Sequence, residues 1–303
     1  MDVLVSGSTG LIGSALVPAL ERAGHRVRRL VRPDSSEVDG GVPWEPARGV
    51  LDPAALEGVD AVVNLAGAGL GDKRWNEERK RVLVESRTLS TGLLARTLAT
   101  LDPTPAVMVS ASAVGIYGDR GDDVVTEGSE PGDDFLADLC RRWEDAASPA
   151  AAAGIRVVHT RSGVVLSARG GLLGRLLLPF KLGLGGRLGS GRQYMSWITI
   201  DDEVAAVLHL LERSDVAGPV NLTTPNPVTN REFVEALGRV LGRPTLIPTP
   251  LFPLKLVYGP ELVETLSLAG QRVLPTRIEA SGFRFAEPEI EGALRAVLGK
   301  RAG

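Results

Sequence analysis

The first thirteen residues constrain the fold more than any other part of the chain. The apolar run Val3-Leu4-Val5 leads into the glycine-rich segment Gly7-Ser8-Thr9-Gly10-Leu11-Ile12-Gly13, and apolar residues then recur at helical spacing until Gly24. A short apolar run before glycine is typical of a buried strand, and the periodic stretch after it predicts a helix. The glycines are therefore expected in a strand-to-helix turn.

Each glycine of this turn has its own expected role in holding a dinucleotide. Gly7 can adopt the backbone angles of the turn, Gly10 lets the main chain approach a pyrophosphate, and Gly13 lets the helix lie close to the strand. Free N–H groups at the start of the helix would face the phosphates. A glycine triplet alone also occurs in ordinary tight turns. The flanking strand and helix are what favour a cofactor site.

Charge and cysteine content exclude several classes of protein. The 303 residues include 34 basic and 37 acidic side chains, a formal net charge of −3, which gives no general attraction to nucleic acid or anionic membranes. The single cysteine, Cys140, excludes an intrachain disulfide and a cysteine-based metal cluster. His25, His159 and His209 are isolated in sequence, which favours structural roles over metal ligation. We expect no metal and no nucleic-acid or membrane partner.

The length of the chain and its hydropathy pattern point to a globular protein of the cytoplasm. A chain of 303 residues can form one large domain or a main domain with a smaller companion. No apolar stretch is long enough to span a bilayer, and the chain begins directly with a predicted core strand, which leaves no room for a cleavable signal. We therefore expect a cytoplasmic location.

Strand and helix patterns alternate through the first half of the chain. The further predicted strands are Arg26–Val31, Ala61–Leu65, Ala106–Ser110 and Arg156–Thr160, and the predicted helices are Trp75–Leu101 and Phe135–Ala153. This alternation predicts an α/β fold, a Rossmann-type doubly wound parallel sheet with ligands at the carboxyl ends of its strands. That edge would collect Gly7, Arg32, Ala66 and Ser112.

The pattern changes near residue 170, where a smaller C-terminal substrate lobe is expected to begin. We expect the dinucleotide-binding domain over residues 1–169 and the lobe mainly over 170–303, with some segments returning to the main domain. The glycine-rich residues 183–191 predict a flexible loop. Thr229-Asn230-Arg231-Glu232 predicts a capping box that opens a helix, and Gly242 would end it.

Arg32 indicates which dinucleotide the site would take. It follows the second predicted strand, where an acidic residue would grip the ribose diol of NAD. A guanidinium there can instead pair with an adenosine 2′-phosphate. The position favours NADP(H) over NAD, the alternative being a solvated surface arginine.

Many ordered sequence blocks resemble those of one known group of proteins. The glycine turn, Leu65-Ala66-Gly67, Ser112 and Trp197–Asp202 resemble the extended, nucleotide-sugar-epimerase-like branch of the short-chain dehydrogenase/reductase superfamily. More narrowly, the chain resembles an atypical group, the epimerase family, which includes bacterial proteins described as nucleoside-diphosphate-sugar epimerases or cell-division inhibitors. The blocks that carry this resemblance are 73–76, 86–87, 132–136, 161–166, 178–186, 189–193, 270–275 and 282–285.

The resemblance implies a set of ligand-binding residues. The expected cofactor contacts are Gly7, Ser8, Thr9, Gly10, Leu11, Ile12, Gly13, Arg32, Leu65, Ala66, Gly67, Arg87, Ser110 and Val165. Arg87 replaces an asparagine that usually holds a structural water, and it is expected to reach the ribose or phosphates of the cofactor. Arg192 and Trp197 lie where the family builds its substrate pocket. Arg192 would bind an anionic substrate group or form only a structural salt bridge.

The chain departs from the superfamily at its acid/base pair. Active members carry a Tyr-x-x-x-Lys pair on the helix after the fifth strand, and here Leu136 and Cys140 occupy those places. Leucine cannot transfer a proton, and Cys140 is expected to be a small buried hydrophobe rather than an ionised thiol. Ser112 matches the serine that orients substrate. Tyr117 is either a substitute proton donor or a packed aromatic ring.

A run of carboxylates raises the question of a metal site. Asp119, Asp122, Asp123 and Glu127 lack the spacing of a calcium loop, so we expect a solvated, mobile turn.

Two hypotheses of function follow. The first is an NADP-binding oxidoreductase or epimerase-like protein that acts on a small carbonyl, alcohol or nucleotide-sugar-like substrate near Ser112. The second is a non-catalytic, NADP-responsive regulator that presents a surface to a protein partner, with a link to cell division. The missing tyrosine and lysine favour the second, and the retained Ser112 and glycine-rich pocket loop favour the first.

Overall fold

A computed structural model of the chain describes residues 1–33 and 40–300. The strands within these residues are β1 Asp2–Ser6, β2 Arg26–Val31, β3 Val42–Glu45, β4 Val50–Leu51, β5 Ala61–Asn64, β6 Val107–Ala113, β7 Val124–Val125, β8 Arg156–Ser162, β9 Val164–Leu166, β10 Tyr194–Met195, β11 Trp197–Thr199, β12 Gly218–Leu222, β13 Val228–Thr229 and β14 Arg272–Val273. The α-helices are α1 Gly13–Arg22, α2 Glu77–Leu98, α3 Phe135–Asp145, α4 Ser148–Ala152, α5 Gly171–Lys181, α6 Ile200–Glu212, α7 Asn230–Leu241, α8 Leu251–Tyr258, α9 Pro260–Val263, α10 Thr276–Ala280 and α11 Ile290–Val297.

The predicted doubly wound parallel sheet is confirmed. Eight strands lie in the order β12-β8-β6-β5-β1-β2-β3-β4, and every pair is parallel except the hairpin of β3 and β4. From β1 the chain first adds β2 and β3 on one side and then crosses to β5 on the other. This reversal makes a topological switch point beside β1, and ligands of such sheets bind at the carboxyl ends of the strands there.

Both faces of the sheet are covered, because successive side chains of each central strand point to opposite sides. In β1, Val3 and Val5 pack into the cluster that contains α1 and α6, whereas Leu4 packs into the cluster that contains α2 and α4. The predicted strand segments read as nearly continuous apolar runs for this reason.

The carboxyl ends of the central strands are pinned to one another by buried polar side chains. In the register of the sheet, Ser6 pairs with Asn64 and Asn64 with Ser110. Ser6 Oγ donates to Asn64 Oδ1 at 2.7 Å, and Asn64 Nδ2 donates to Thr91 Oγ1 at 2.8 Å and to Ser110 Oγ at 3.3 Å. These bonds hold the edge that carries the candidate site.

The second half of the chain contributes both to this sheet and to a separate layer. β12 adds the last strand beyond β8, and α6 packs against α1. Helices α5, α7 and α11 form a further apolar cluster around Trp197 and Phe233. The predicted capping box is present, since Thr229 and Glu232 exchange both bonds, and Gly242 ends α7 with a φ of 65°.

Two predicted helices differ in extent from the structure. The stretch 135–153 is two helices, with Pro149 in the first turn of α4. α2 begins only after Asn76, whose side chain accepts a hydrogen bond from Arg79 N. Within the residues that the structure describes, no helix combines the length and apolarity needed to cross a membrane.

Candidate cofactor and substrate site

The glycine turn between β1 and α1 has the geometry expected of a phosphate cradle. Gly7 has a φ of +67°, and a Cβ on it would lie 2.7 Å from Leu65 O. A Cβ on Gly13 would collide with Gly7 O, so the helix can lie this close to the strand only with glycine there. A Cβ on Gly10 would meet only Gly7 O, at 3.3 Å, on the exposed outer side of the turn. The residues therefore fit a pyrophosphate approaching the start of α1.

A cavity lies at the carboxyl end of β2, the strand that pairs with β1. It has a volume of about 290 Å³ and is lined by Arg32, Pro33, Trp44, Glu45, Pro46 and Ala47. Among the described residues Arg32 has no hydrogen-bond or ion-pair partner, whereas Glu45 is paired with Arg48 at 3.1 Å. The cavity thus offers an unpaired guanidinium next to an apolar wall. Sequence reasoning identified Arg32 but not the wall, although Trp44-Glu45-Pro46 was a visible aromatic and proline signal.

The loop after β5 is held against the site by backbone and arginine contacts. Leu65 N and Ala66 N donate to Ser6 Oγ at 3.1 and 3.3 Å. Arg87 donates to Ala68 O at 3.0 Å, and a Cβ on Gly67 would lie 3.2 Å from Arg87 Cγ. Burial lowers the pKa of the Arg87 guanidinium to about 10, so it stays charged at neutral pH.

Ser112 lies at the carboxyl end of β6 and is bonded to a buried ion pair. Its Oγ donates a hydrogen bond to Glu144 Oε1 at 2.6 Å. The Glu144 carboxylate also accepts hydrogen bonds from Arg161 Nε and from one terminal nitrogen of Arg161, at 2.9 Å each. Burial raises the pKa of the Glu144 carboxyl, but the hydrogen bonds and charge of Arg161 outweigh burial and hold it below its ordinary value. Glu144 is therefore a carboxylate at neutral pH. No local sequence pattern signals this role of Glu144, because its partners Ser112 and Arg161 lie 32 and 17 residues away in the chain.

Tyr117 belongs to the same network but not to the open cleft. Its ring is fully buried, its hydroxyl donates to Asn221 Oδ1 at 2.7 Å, and it accepts from Arg161 at 3.1 Å. Burial raises the pKa of the phenol. Of the two roles considered for Tyr117, the structure gives it the packed one, so we do not retain it as a proton donor.

Arg192 lines a second cavity. This cavity has a volume of about 250 Å³, and its lining residues are Asp122, Gly191, Arg192, Tyr194, Thr229 and Arg231. Neither Arg192 nor Arg231 forms an ion pair with any residue that the structure describes. Of the two roles expected for Arg192, the structural salt bridge is therefore not seen.

The comparisons with known proteins agree with the sequence blocks and with the fold. The model of the NAD-dependent epimerase/dehydratase family matches residues 3–222, and a domain of unknown function, DUF1731, matches residues 249–297. The chain belongs to the NAD-dependent epimerase/dehydratase family.

Three relatives of this family member cover nearly all of it. An epimerase family protein of Mycobacterium bovis is 47% identical, with 96% of each chain covered. The crystal structure of the human epimerase family protein SDR39U1 (isoform 2) with NADPH has a TM-score of 0.88 and 36% identity, covering 99% of this chain and 100% of that one. The nucleoside-diphosphate sugar epimerase of Corynebacterium glutamicum has a TM-score of 0.80 and 37% identity, covering 99% of this chain and 58% of that one.

This family member lacks the usual acid/base pair in space as well as in sequence. Leu136 packs against Gly115, where a Cβ would lie 3.3 Å from Leu136 Cβ. Cys140 is almost fully buried, and burial, together with the Glu144 charge, raises the pKa of its thiol to about 12. Both side chains belong to an apolar cluster with Trp143, so neither carries a proton to the cleft.

Three further expected site residues of this family member lie in or beneath the core. Ser110 is fully buried, and its hydroxyl belongs to the Asn64 network, so its side chain does not face the cleft. Trp197 is also fully buried and donates to Asn226 O at 3.2 Å, which corrects its expected role in the substrate pocket. Val165 lies in β9, half-buried against the cluster around β1.

The acidic run expected to be a solvated turn contains one buried residue. Glu127 is 8% exposed and accepts hydrogen bonds from Asn221 N and Arg277 N at 3.1 Å each, and from Thr276 Oγ1. It thereby joins the C-terminal segment of this family member to β12. Within the described part of the chain, no three His, Cys, Asp or Glu side chains are grouped closely enough to hold a metal ion.

Proposed function

We propose that the chain binds NADP(H) at the switch point of its sheet and acts as an oxidoreductase or epimerase on a small molecule bearing a hydroxyl or carbonyl group. The observation that carries the proposal is the Arg32 guanidinium, which has no partner among the described residues and lines the 290 Å³ cavity at the end of β2, the strand that pairs with β1. The human relative crystallised with NADPH supports the same cofactor.

The residues that would hold the cofactor lie on three neighbouring strand ends. The glycine turn after β1 would take the pyrophosphate, and Arg32 after β2 the 2′-phosphate. The backbone of Leu65-Ala66-Gly67 would run beside the cofactor, with the Arg87 charge directly behind it. The cofactor supplies a hydride acceptor or donor when bound.

The hydrogen bond that Ser112 donates determines which substrate group its hydroxyl can bind. Its one proton is committed to Glu144, so its free lone pairs accept a hydrogen bond. A substrate hydroxyl supplies such a donor, and a substrate carbonyl is held in the reverse direction, when Glu144 carries the proton and Ser112 donates to the carbonyl oxygen instead. When the substrate hydroxyl gives its proton to Ser112 Oγ, Glu144 is charged and placed to take the proton that Ser112 releases. Ser112 contacts the substrate in this proposal, Glu144 accepts the proton through Ser112, and Arg161 positions the Glu144 carboxylate.

The second candidate function, a non-catalytic NADP-responsive regulator, is favoured by Leu136 and Cys140. These residues put apolar packing where active members of the superfamily carry tyrosine and lysine. Such a protein would bind the cofactor and present a surface to a protein partner without turnover.

One set of measurements separates the two candidates. NADPH and NADH affinities are measured by fluorescence titration, and single-turnover oxidation of NADPH is followed with a panel of aldehydes and ketones, and reduction of NADP⁺ with the matching alcohols. The catalytic proposal expects turnover that Ser112→Ala removes and Cys140→Ala retains, with unchanged cofactor affinity in both. Tight NADPH binding, no turnover with any member of the panel, and capture of a protein partner only when NADPH is present would support the regulator instead.

A further inference from the structure

The surface between α5 and α8 exposes an unusual number of large apolar side chains. We define the apolar rim as Leu178, Leu182, Leu184, Leu246, Ile247 and Phe252, which are between 65% and 90% exposed. Large apolar side chains grouped on the surface of a folded chain usually mark a binding site. Helix α8 contains no buried residue at all, so its own packing does not explain its composition.

Two hydrogen bonds join the segments that carry most of the apolar rim. Arg243 Nε donates to Lys181 O at 2.9 Å, and Thr249 Oγ1 donates to Gly186 O at 3.0 Å. The segment 243–250 therefore runs alongside residues 181–186. Leu182 and Leu184 belong to the first of these adjacent segments, Leu246 and Ile247 belong to the second, and α8 begins directly after it.

The rim also lies beside the loop that follows β5. Arg175, Leu178 and Leu182 share one face of α5, because their spacing is three and four residues. Arg175 on that face reaches Asp72 Oδ1 at 2.8 Å, in the loop that follows β5. At the far end of α8, a Cβ on Gly259 would lie 3.1 Å from Arg74 Cγ in the same loop.

A basic cavity lies at the other end of the rim. A Cβ on Gly189 would lie 3.4 Å from Leu268 and 3.9 Å from Leu251, the first residue of α8. Arg192, which lines the 250 Å³ cavity with Arg231, is three residues further along, a span of about 10 Å at most. The two arginines form no ion pair within the described residues, and with Asp122 as the one acidic lining residue the cavity carries a net positive charge beside an apolar surface.

We infer that the chain binds an anionic amphiphile with a single hydrocarbon chain, whose acidic headgroup lies on Arg192 and Arg231 and whose chain lies along the apolar rim. This binding goes beyond the proposed function and does not depend on it. The size of the basic cavity fits a compact acidic group, and charge complementarity selects an anion. The exposed leucines select hydrocarbon over sugar hydroxyls.

The test uses dodecyl phosphate below its micellar concentration and butyl phosphate, which has the same headgroup and little tail, both measured by titration calorimetry. We expect one dodecyl phosphate per chain. Arg231→Gln should weaken both ligands about tenfold, and Phe252→Ser should weaken only dodecyl phosphate, also about tenfold. Two exposed residues far from the rim give matched controls, Leu89→Ser on α2 and Arg26→Gln on β2, and neither should change the affinity.

Three results would overturn the inference. Equal affinities for dodecyl phosphate and butyl phosphate would show that the apolar rim does not bind the hydrocarbon tail. Sedimentation with phosphatidylglycerol vesicles without saturable binding of dodecyl phosphate would make the rim a membrane-binding surface. A concentration-dependent dimer that Phe252→Ser abolishes would make it an interface with a second copy. NADPH affinity, measured on every variant, should not change. If the wild-type chain binds dodecyl phosphate but does not bind NADPH, the proposed function is refuted and the inference about the amphiphile is not.

Discussion

Ser112 Oγ lies 2.6 Å from Glu144 Oε1 and donates its proton to that carboxylate. The carboxylate is in turn held by two nitrogens of Arg161, which also bonds the Tyr117 hydroxyl. The serine expected to orient substrate is thus itself oriented by a buried ion pair. A network of this kind fixes one rotamer of Ser112, and it makes the stability of the site depend on two opposite charges.

Glu144→Gln should destabilise the protein by ~3 kcal/mol at pH 7, because it leaves the buried Arg161 guanidinium without its counter-charge. The exposed control Glu291→Gln should cost less than ~1 kcal/mol. Arg161 lowers the pKa of Glu144 in the folded chain, so its contribution is present above the unfolded pKa and is lost as pH falls through the folded one. Urea unfolding should therefore show a gap between wild type and Glu144→Gln that narrows below pH ~4. A gap that stays constant down to pH ~3 would contradict this assignment.

Arg32→Ala should weaken NADPH binding about ten- to a hundredfold and leave NADH nearly unchanged, because one charge-assisted contact to the 2′-phosphate is worth roughly 1.5–3 kcal/mol. Arg26→Ala, on the same strand and exposed, is the matched control and should affect neither cofactor. Fluorescence titration with both cofactors gives the answer. If Arg32→Ala weakens the binding of NADPH and of NADH equally, Arg32 does not bind the 2′-phosphate.

Gly10→Val should abolish binding of both cofactors while the fold survives. A side chain on Gly10 meets only Gly7 O, at 3.3 Å, but it occupies the space that a pyrophosphate would need. Gly13→Val should instead destabilise the chain itself, because its side chain would collide with the backbone at Gly7 and Ser8. Thermal melts with and without NADPH distinguish the two: a near-normal melting temperature without a cofactor-induced shift is expected for Gly10→Val. A retained shift would refute the proposed turn.

Local patterns were sufficient to predict the elements that carry the site. Arg26–Val31 was predicted with the bounds that β2 has, and the capping box at Thr229 was predicted from four residues. Both depend on neighbours in sequence, on strand hydropathy in one case and on the spacing of a cap in the other. The positions of Gly7, Arg32 and Ser112 then follow from the topology of a parallel sheet.

The chemistry inside the network could not be predicted in the same way. Tyr117 bonds Asn221, 104 residues away in sequence, and Glu127 bonds Arg277, 150 residues away. No local pattern encodes such pairs, so Tyr117 remained open between two roles and Glu127 was wrongly placed in a solvated turn. The apolar wall formed by Trp44 was missed for a related reason, since it belongs to a short hairpin beyond β2.

The Cys140 thiol should be unreactive in the folded protein. Burial and the neighbouring Glu144 charge raise its pKa to about 12, so almost no thiolate exists at neutral pH. We expect no reaction with a disulfide reagent in native buffer and one equivalent of thiol after denaturation. Cys140→Ala should cost only about 1 kcal/mol of stability, as the loss of one small buried group. Rapid modification of Cys140 in the native protein, with loss of any turnover, would show that its thiol takes part in the reaction.

Glu203→Gln should stabilise the protein at pH 8 but not at pH 4. Burial raises the pKa of the Glu203 carboxyl to about 7, and the hydrogen bond from Ser162 Oγ, 2.6 Å long, only partly offsets this. Its other oxygen has no partner among the residues described. Because the pKa of Glu203 is higher in the folded than in the unfolded chain, the carboxyl contributes to the free energy of unfolding below the unfolded pKa. This contribution is lost as pH rises through about 7. The wild type should therefore lose ~3 kcal/mol relative to the variant between pH ~4 and pH ~8. Urea unfolding at the two pH values measures this, with the exposed Glu235→Gln as control. If wild type and Glu203→Gln respond to pH in parallel, Glu203 is not ionising in the buried site.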